Sequence, residues 1–276
     1  RSKLEWWLRT LYTGGFVLYL FLVGNWAALS HYLRYLLIVV YLGAVATSYG
    51  WITPPLSTSR YRERQRCIGA VMTLTFFLVL LAFAVRGHFY SGEPVRLSFP
   101  LRDGRYLVWQ GGSSLLLNYH TTHRRQKYAL DLVALNAAGA RALGIYPAEL
   151  ERYAIFSATV FTPCDGTVLG VMDGLPDQIP PAADRTQAAG NHVVIQCSSA
   201  EVTLAHLQNG SVMVRAGDVV VTGQPLGRVG NSGNTSEPHL HIHAAAVGAA
   251  GATEGEGVPI LFDDDFLVRN DIVANR

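Results

Sequence analysis

The sequence predicts a membrane-anchored β protein: three N-terminal transmembrane α-helices followed by an all-β domain with an antiparallel sheet and a small helical insertion. Two patterns lead to this fold class. Three long apolar runs lie within the first 86 residues, and short strand-like segments separated by turn dipeptides fill most of the chain after residue 155. Half of the 276 residues are hydrophobic and only 15% are charged, which is a larger apolar excess than an ordinary soluble protein carries.

The three apolar runs cover residues 11–29, 35–52 and 67–85, and none of them contains a charged residue. Each is close to the ~20 residues that a helix needs to cross the hydrocarbon core of a bilayer. A buried core helix would explain one such run, but three in succession favour a membrane anchor. A cleaved signal peptide is disfavoured, because no small-residue cleavage site closes the first run.

Basic residues are distributed unevenly around the apolar runs. They precede the first run and cluster between the second and third runs, at Arg60, Arg62, Arg64 and Arg66. The connection between the first and second runs holds Arg34 as its single basic residue. The positive-inside rule then places the N-terminus and the second connection in the cytoplasm. Three crossings deliver everything after about residue 86 to the outer face of the membrane.

Three histidines alternate in the segment that follows Pro238, at His239, His241 and His243. In a strand, residues two apart share a face, so these imidazoles are expected to point the same way. Neutral imidazole is the commonest metal ligand, and its ordinary pKa suits proton transfer near neutral pH. The triplet alone predicts either a site of metal and acid–base chemistry or a His-rich surface strand.

The surroundings of the triplet carry a specific resemblance. Five sequence blocks, in the same order, are similar to those of the lysostaphin-type (LytM-like) zinc metallopeptidases, here in a membrane-anchored member. The resemblance covers roughly residues 97 to 246. The blocks are DGTV at 165–168, GNHVVI at 190–195, HL at 206–207, GDVV and GQPLG between 217 and 227, and GNSGNTSEPHLH at 230–241.

The resemblance implies the LytM-like fold of the duplicated-hybrid type and a catalytic Zn²⁺ held by two histidines and one aspartate. Asp131 and His241 match ligand positions of the family. His206 and His239 match its two non-ligand histidines, which orient or deprotonate water and stabilise the oxyanion. A third protein ligand is then required, because two ligands leave two tetrahedral positions to water.

The sequence departs from the family at this third ligand. The family places a histidine four residues before the aspartate, where this chain has Lys127. A protonated lysine cannot replace it, and His120 and His123 are the nearby alternatives. His120 is preferred because it follows the apolar strand 115–117, where the chain should enter the site. The segment between His120 and Asp131 must then loop out and return.

The predicted organisation has four parts. The parts are a membrane anchor at 1–86, a linker with leading strands at 87–117, the LytM-like metallopeptidase domain at 118–248, and a C-terminal tail at 249–276. Within the metallopeptidase domain, residues 136–153 are predicted to form an Ala-rich helical insertion, and the Pro-rich stretch 175–189 is predicted to be a loop at a substrate groove.

Two cysteines are candidates for a disulfide. If the segments around them form a hairpin that pairs Gly170 with Asn191, Cys164 and Cys197 lie opposite each other. An extracytoplasmic location permits a disulfide, but the expected Cβ separation of about 4.5–5.5 Å is slightly too wide. A disulfide and two buried thiols both remain open.

The resemblance implies a zinc metalloendopeptidase that hydrolyses peptide cross-links of bacterial peptidoglycan, on the periplasmic face of a multi-pass inner-membrane anchor in the lipid bilayer. The alternatives are a non-catalytic domain that binds cell wall or activates a partner hydrolase of the cell envelope, and a protease acting on proteins. The net formal charge of +2 favours no class of partner, and nucleic acid is not expected to be one.

Overall fold

A computed structural model describes residues 3–50, 52, 60–247 and 255–274. Three α-helices precede the strands: α1 (Lys3–Val23), α2 (Leu33–Tyr49) and α3 (Arg60–Arg86). Short 3₁₀ turns occur at Trp26–Ala28, Tyr119–Thr122, Arg124–Gln126 and Leu150–Arg152. The strands are β1 (Val95–Leu97), β2 (Arg105–Gln110), β3 (Leu130–Ala134), β4 (Thr159–Phe161), β5 (Gly166–Met172), β6 (Asn191–Cys197), β7 (Ala200–Leu207), β8 (Val219–Val220), β9 (Pro225–Arg228), β10 (Leu240–Ala246), β11 (Ile260–Phe262) and β12 (Ile272–Ala274).

The three helices pack side by side at one end of the β domain. Glu5 of α1 lies 3.9 Å from Arg66 of α3, and Phe16 contacts Phe77 further along, so α1 and α3 run parallel. The Trp6 Nε1–H donates to Ser48 Oγ at 3.1 Å, which brings the start of α1 to the end of α2. The helix ends Val23, Leu33 and Arg86 therefore all lie towards the β domain.

The prediction of three clear transmembrane spans is only partly met. Among the described residues, α1 and α3 are long and apolar enough to cross a membrane, whereas α2 has 17 residues. At about 1.5 Å per residue, 17 residues rise about 25 Å, less than the ~30 Å of a typical hydrocarbon core. The predicted second run, 35–52, includes residue 51, which lies outside the described residues.

The predicted antiparallel β domain is confirmed. Eight strands form one antiparallel sheet in the order β12-β2-β3-β10-β7-β6-β5-β8, and two small sheets pair β1 with β11 and β4 with β9. Alternating residues of β10 serve opposite faces: Leu240, Ile242 and Ala244 enter the main hydrophobic core, whereas His241 and His243 do not. At the centre of the sheet, one face of β10 therefore packs in the apolar core and the other face carries the histidines.

The helical insertion predicted at residues 136–153 is wrong. The segment is built from turns, with a single 3₁₀ turn at Leu150–Arg152. The Asn136 side chain accepts hydrogen bonds from the backbone N–H groups of Ala138 and Ala140, at 2.9 and 3.1 Å, which offers the backbone an alternative to a helix. The Arg141 N–H donates to Ala27 O at 2.9 Å, so tertiary contacts replace the helical bonds that the Ala-rich composition predicts.

The chain after the site strand returns to the sheet. Residues 249–254 and 275–276 of the predicted tail lie outside the described residues. The remainder contributes β11, which pairs in parallel with β1, and β12, which forms the edge of the large sheet beside β2. The predicted leading strands and the predicted tail are thus joined to the same β structure as the metallopeptidase motifs.

Of the two possibilities left open for Cys164 and Cys197, the structure has the disulfide, with the two Cα atoms 5.8 Å apart. The register predicted for the hairpin is wrong: Gly170 pairs with Val194 rather than Asn191. Thr167 already pairs with Gln196, two residues from the predicted register, and an irregularity between Val168 and Gly170 adds one more residue, which an alternation pattern does not reveal.

Candidate metal centre

Two of the predicted ligands come from neighbouring strands in the middle of the sheet. In the antiparallel pair of β3 and β10, Asp131 lies directly opposite His241. Directly opposed side chains are the closest cross-strand neighbours, and Asp131 Oδ1 is 2.9 Å from His241 Nδ1. Both residues are buried, with 3% and 4% of their surface exposed. The sheet register alone therefore brings these two groups together.

The third predicted ligand is His120, which lies on the 3₁₀ turn Tyr119–Thr122. Asn118 holds this turn: its Oδ1 accepts from the His120 N–H at 3.1 Å, and its Nδ2 donates to Gly112 O and Ala129 O. His120 Nε2 lies 3.1 Å from both carboxylate oxygens of Asp131. The buried ligand atoms of His120, Asp131 and His241 all lie within 4.8 Å of one another.

The two other residues considered for this position lie elsewhere. His123 is exposed and is not part of the group formed by His120, Asp131 and His241. The Lys127 Nζ lies 4.0 Å from Glu256 and above the ring of Tyr128, so it is directed away from the carboxylate of Asp131. The geometry thus favours His120 at the place where the sequence leaves two histidines open.

The donor set fits a zinc ion. Burial by itself would raise the pKa of Asp131, but the neighbouring imidazoles of His120, His239 and His241 outweigh it and hold that pKa well below its usual value. Burial lowers the pKa of His241, which keeps its imidazole neutral. An ionised carboxylate and neutral imidazoles are the forms that bind metal.

A further sign of a missing partner is His120 Nδ1. It is buried and has no hydrogen-bond partner among the described residues, while Nε2 of the same ring shares the carboxylate of Asp131. Most buried polar atoms of folded proteins are hydrogen-bonded. Two histidines and one aspartate, with room for a fourth ligand, are typical of catalytic zinc sites.

His243 supports the centre from behind. Its Nδ1 lies 3.0 Å from His241 Nε2, and it is 6% exposed. Burial, with His241 and Arg125 nearby, lowers the pKa of His243 well below its ordinary value. A neutral His243 can accept a hydrogen bond from the His241 Nε2–H, which leaves His241 Nδ1 with its lone pair directed at the centre.

The two predicted catalytic histidines lie on the other side of the ligands. The ring centroids of His206 and His239 are 4.8 Å apart, and His206 is 5.8 Å from His241 by the same measure. His206 Nδ1 lies 2.9 Å from Ser232 O, and His239 Nδ1 lies 2.9 Å from Glu237 O. A carbonyl oxygen only accepts, so both rings carry hydrogen on Nδ1 and leave Nε2 free.

A cleft of about 290 Å³ opens over this centre. Asp131 and His239 lie in its lining, and the stretch predicted as a groove loop contributes Pro181, Ala183 and Arg185. Tyr119, to which the sequence assigns no role, also lines it. The Tyr119 Oη is 3.4 Å from Asp131 Oδ2, and burial, together with the charge of Asp131, raises the Tyr119 pKa, so the phenol keeps its proton.

This arrangement defines a candidate catalytic zinc centre: three buried potential ligands, of which Asp131 lines a cleft, with the imidazoles of His206 and His239 beside them. Residues 153–252 match the family model "Peptidase family M23". The chain therefore carries a domain of peptidase family M23, the LytM-type peptidases. The match includes His206, His239 and His241 and begins after His120 and Asp131.

Several solved structures are similar to the chain. A zinc containing peptidase from Vibrio cholerae is 20% identical over 42% of this chain and 46% of its own, with a TM-score of 0.26. A putative peptidase M23 from Pseudomonas aeruginosa is 18% identical over 60% and 53%, with a TM-score of 0.32. The SpoIIQ-SpoIIIAH pore forming complex is 14% identical over 60% and 89%, with a TM-score of 0.37. The chain spans about half the length of the first two, and among curated proteins none matches it.

Proposed function

We propose that this protein is a membrane-anchored zinc metalloendopeptidase that hydrolyses peptide cross-links of bacterial peptidoglycan on the outer face of the cytoplasmic membrane. The observation that carries the proposal is the buried group of His120, Asp131 and His241, of which Asp131 lines a cleft, within a chain that contains an M23 domain. The donor types, their burial, the ionised carboxylate of Asp131 and the neutral imidazole of His241 all suit catalytic zinc.

His120, Asp131 and His241 would hold the zinc ion. When bound, zinc supplies a Lewis acid that polarises a carbonyl group and lowers the pKa of water to about 7. The chain itself must supply the proton transfers, the stabilisation of developing charge and the orientation of the ligands.

His206 is suited to accept a proton at Nε2. Burial and the neighbouring imidazoles of His239 and His241 lower its pKa well below the ordinary value, so the ring is neutral at pH 7. Its Nδ1–H is held by Ser232 O, so the proton can only arrive at Nε2. A positioned neutral imidazole of this kind is the commonest general base in enzymes.

His239 lies at the cleft lining with Nε2 3.6 Å from Asp131 Oδ1. A proton received at Nε2 turns this nitrogen into a donor that can stabilise an oxyanion. The protonated Tyr119 hydroxyl is a second donor next to the same carboxylate. We assign His206 and His239 as the catalytic pair, with Tyr119 as an additional hydrogen-bond donor to substrate.

Two features support an extracytoplasmic location. The ends of α1, α2 and α3 that face the β domain lie opposite the Arg60–Arg66 end, which the positive-inside rule places in the cytoplasm. The Cys164–Cys197 disulfide is of a kind that persists in oxidising compartments. An alkaline phosphatase fusion after Val133 is expected to be active in cells, and a reporter active there only in the cytoplasm would overturn the topology.

A second candidate function is a non-catalytic domain that binds cell wall or activates a partner hydrolase. The observation that favours it is Lys127, which stands where the family has its first histidine ligand. The two candidate functions make different predictions for the zinc content of the protein and for its ability to hydrolyse cell wall.

The experiment that separates them uses the full chain in nanodiscs. Bound zinc and cleaved cross-links released from purified peptidoglycan are measured for the unchanged protein, for His120→Ala and for the matched loop variant His123→Ala. Loss of both signals in His120→Ala alone supports the proposal. If His123→Ala alone abolishes them, the ligand assignment is wrong. If the unchanged protein binds no zinc, the non-catalytic function is supported instead.

A further inference from the structure

Two arginines join the membrane anchor to opposite sides of the candidate metal centre. The relevant part of the anchor is the connection between α1 and α2, residues 24–32, which we call the α1–α2 connection. It packs directly on the β domain: Ala27 is fully buried in a small apolar cluster with Leu107, Val133 and Leu135. The anchor therefore contacts the domain through this connection as well as through the chain segment that links α3 to β1.

Hydrogen bonds hold the α1–α2 connection along its length. Ser30 Oγ donates to Ala138 O at 2.6 Å, and the His31 N–H donates to Gly139 O at 2.7 Å. Asn270 Nδ2 donates to Leu22 O and Gly24 O, both at 3.0 Å. These contacts use the turns of residues 136–142 and the residues just before β12 as a docking surface.

The first arginine, Arg141, is 4% exposed and connects the α1–α2 connection to His239. Its Nη1 donates to Ala28 O at 3.0 Å, and its Nε and Nη2 bind the carboxylate of Glu237 at 2.7–2.9 Å. The backbone carbonyl of Glu237 accepts the His239 Nδ1–H. The contacts thus run without a gap from a carbonyl of the anchor to a predicted catalytic ring.

The second arginine, Arg269, connects the end of α1 to the segment that carries His120. Its Nη1 donates to Val23 O at 2.9 Å and its Nε donates to Leu117 O at 3.0 Å. Its Nη2 also binds Gln110 Oε1, and Gln110 is paired with Asp131 across β2 and β3. Both sides of the zinc site therefore depend on guanidinium groups whose donors are shared with the anchor.

We infer that the α1–α2 connection, together with Val23 at the end of α1, is a positioning element of the candidate active site, acting through Arg141 on His239 and through Arg269 on His120. A guanidinium has five N–H donors in a fixed fork, and withdrawal of a carbonyl from a buried fork leaves a donor unsatisfied. The guanidinium then moves or rotates, and the side chains and carbonyls that it binds move with it. The effect of this movement on catalysis rests on the proposed function, whereas the docking of the connection and the positioning of the histidines do not.

The test displaces the α1–α2 connection without touching the centre. Ala27→Arg places a charged side chain in the fully buried position, and Leu29→Arg is the matched control, because Leu29 is 59% exposed in the same connection. Both full-length variants are placed in nanodiscs. Thermal unfolding and oxidised Cys164–Cys197 confirm that the β domain is folded in each.

Zinc affinity and the absorption spectrum of bound Co²⁺ report the Arg269 side. Mutation of a group that supports a metal ligand typically lowers metal affinity about 10–100-fold. Ala27→Arg and Arg269→Gln should therefore each lower zinc affinity within that range and alter the Co²⁺ spectrum. Leu29→Arg should match the unchanged protein. The two single changes should not add in the double variant, because they interrupt one route.

The nitrogen chemical shifts of ¹⁵N-labelled histidine report the Arg141 side without any metal or substrate. The unchanged protein should show His239 with hydrogen on Nδ1, and both Ala27→Arg and Arg141→Gln should shift it towards a tautomeric mixture. If Ala27→Arg folds and leaves the His239 shifts, the zinc affinity and the Co²⁺ spectrum equal to those of Leu29→Arg, the inference is wrong. A protein that shows the tautomer change but binds no zinc refutes the proposed function alone.

Discussion

The candidate metal centre combines potential donors of two structural kinds. Asp131 and His241 are carried by adjacent strands, and the register of β3 and β10 places them opposite each other without any further support. His120 is carried by a 3₁₀ turn, and its place depends on the fully buried side chain of Asn118. A donor fixed by a sheet ladder has one possible location, whereas a donor on a turn can come from any nearby segment that polar side chains can hold.

This difference explains how the chain can depart from the family at Lys127. The segment between His120 and Asp131 leaves the sheet and returns, with two 3₁₀ turns on the way. A histidine anywhere on such an excursion can be directed at the aspartate if its turn is supported. Strand donors lack this freedom, since a shift of one residue moves a side chain to the opposite face.

Removal of the strand carboxylate is expected to have the largest effect. Asp131→Asn keeps the shape of the side chain but removes the charge that balances the metal. Zinc affinity, measured by competition with a chelator, should fall by more than about 100-fold, beyond the range of a supporting residue. The zinc-free variant should remain folded, because the strands still pair. Retention of tight zinc binding would exclude Asp131 as a ligand.

Removal of the support of the turn donor comes next. Asn118→Ala removes the hydrogen-bond partner of the His120 N–H, of Gly112 O and of Ala129 O. Each buried group left unsatisfied lowers the free energy of unfolding by about 1–3 kcal/mol. Zinc affinity should fall about 10–100-fold.

Asp173→Ala is the matched turn variant, because Asp173 accepts from the backbone N–H groups of Gly210 and Val212 in another loop. It should leave zinc affinity unchanged. Equal affinities for Asn118→Ala and Asp173→Ala would show that the turn needs no such support.

A smaller effect is expected when the outer partner of the strand histidine is changed. His243→Leu removes the acceptor at His241 Nε2, and zinc affinity should fall about 10-fold, at the lower end of the range for such partners. His243→Gln retains an acceptor oxygen and should recover part of the loss. His192→Leu, in β6 of the same sheet, serves as the control. No difference between His243→Leu and His192→Leu would remove His243 from this role.

The acid sensitivity of the zinc-free protein tests the buried histidines together. The pKa values of His206, His241 and His243 are all lowered in the folded state, so their contribution to stability is complete above the unfolded value of about 6.5 and is lost as pH falls below it. Each adds up to about 1.4 kcal/mol per pH unit to the slope. The lowered pKa of Asp131 adds a loss only below its ordinary value of 3.8.

Thermal unfolding between pH 7 and pH 5 with chelator present measures this slope. His206→Gln and His243→Gln should each reduce this slope by the amount that corresponds to about one proton bound on unfolding. His123→Gln, at an exposed position, should leave the slope unchanged. Equal slopes for all four proteins would contradict the burial of these rings in a neutral state.

Local sequence was sufficient where a residue's role depends on its own strand or run. The alternation of His239, His241 and His243 and the apolar runs of α1 and α3 follow from side-chain periodicity and from length, so they can be predicted without the fold. The antiparallel β class follows in the same way. The identities of Asp131 and His241 as candidates came from the family resemblance, which ordered blocks of sequence carry.

Tertiary structure decided everything that depends on partners distant in the chain. The Ala-rich residues 136–153 do not form a helix, because Asn136 and the carbonyl of Ala27 take their backbone N–H groups. The hairpin of β5 and β6 differs from its expected register on both sides of an irregularity in β5.

The position of His120, rather than His123, beside Asp131 was likewise visible only in three dimensions. Asn118 fixes the turn by binding backbone groups before and after it, and such a contact leaves no periodic trace in the sequence. The same holds for Arg141 and Arg269, whose donors bind backbone carbonyls of the anchor. A backbone carbonyl has the same chemistry at every residue, so the sequence determined which side chains can donate, and only the folded chain determined which carbonyls they reach.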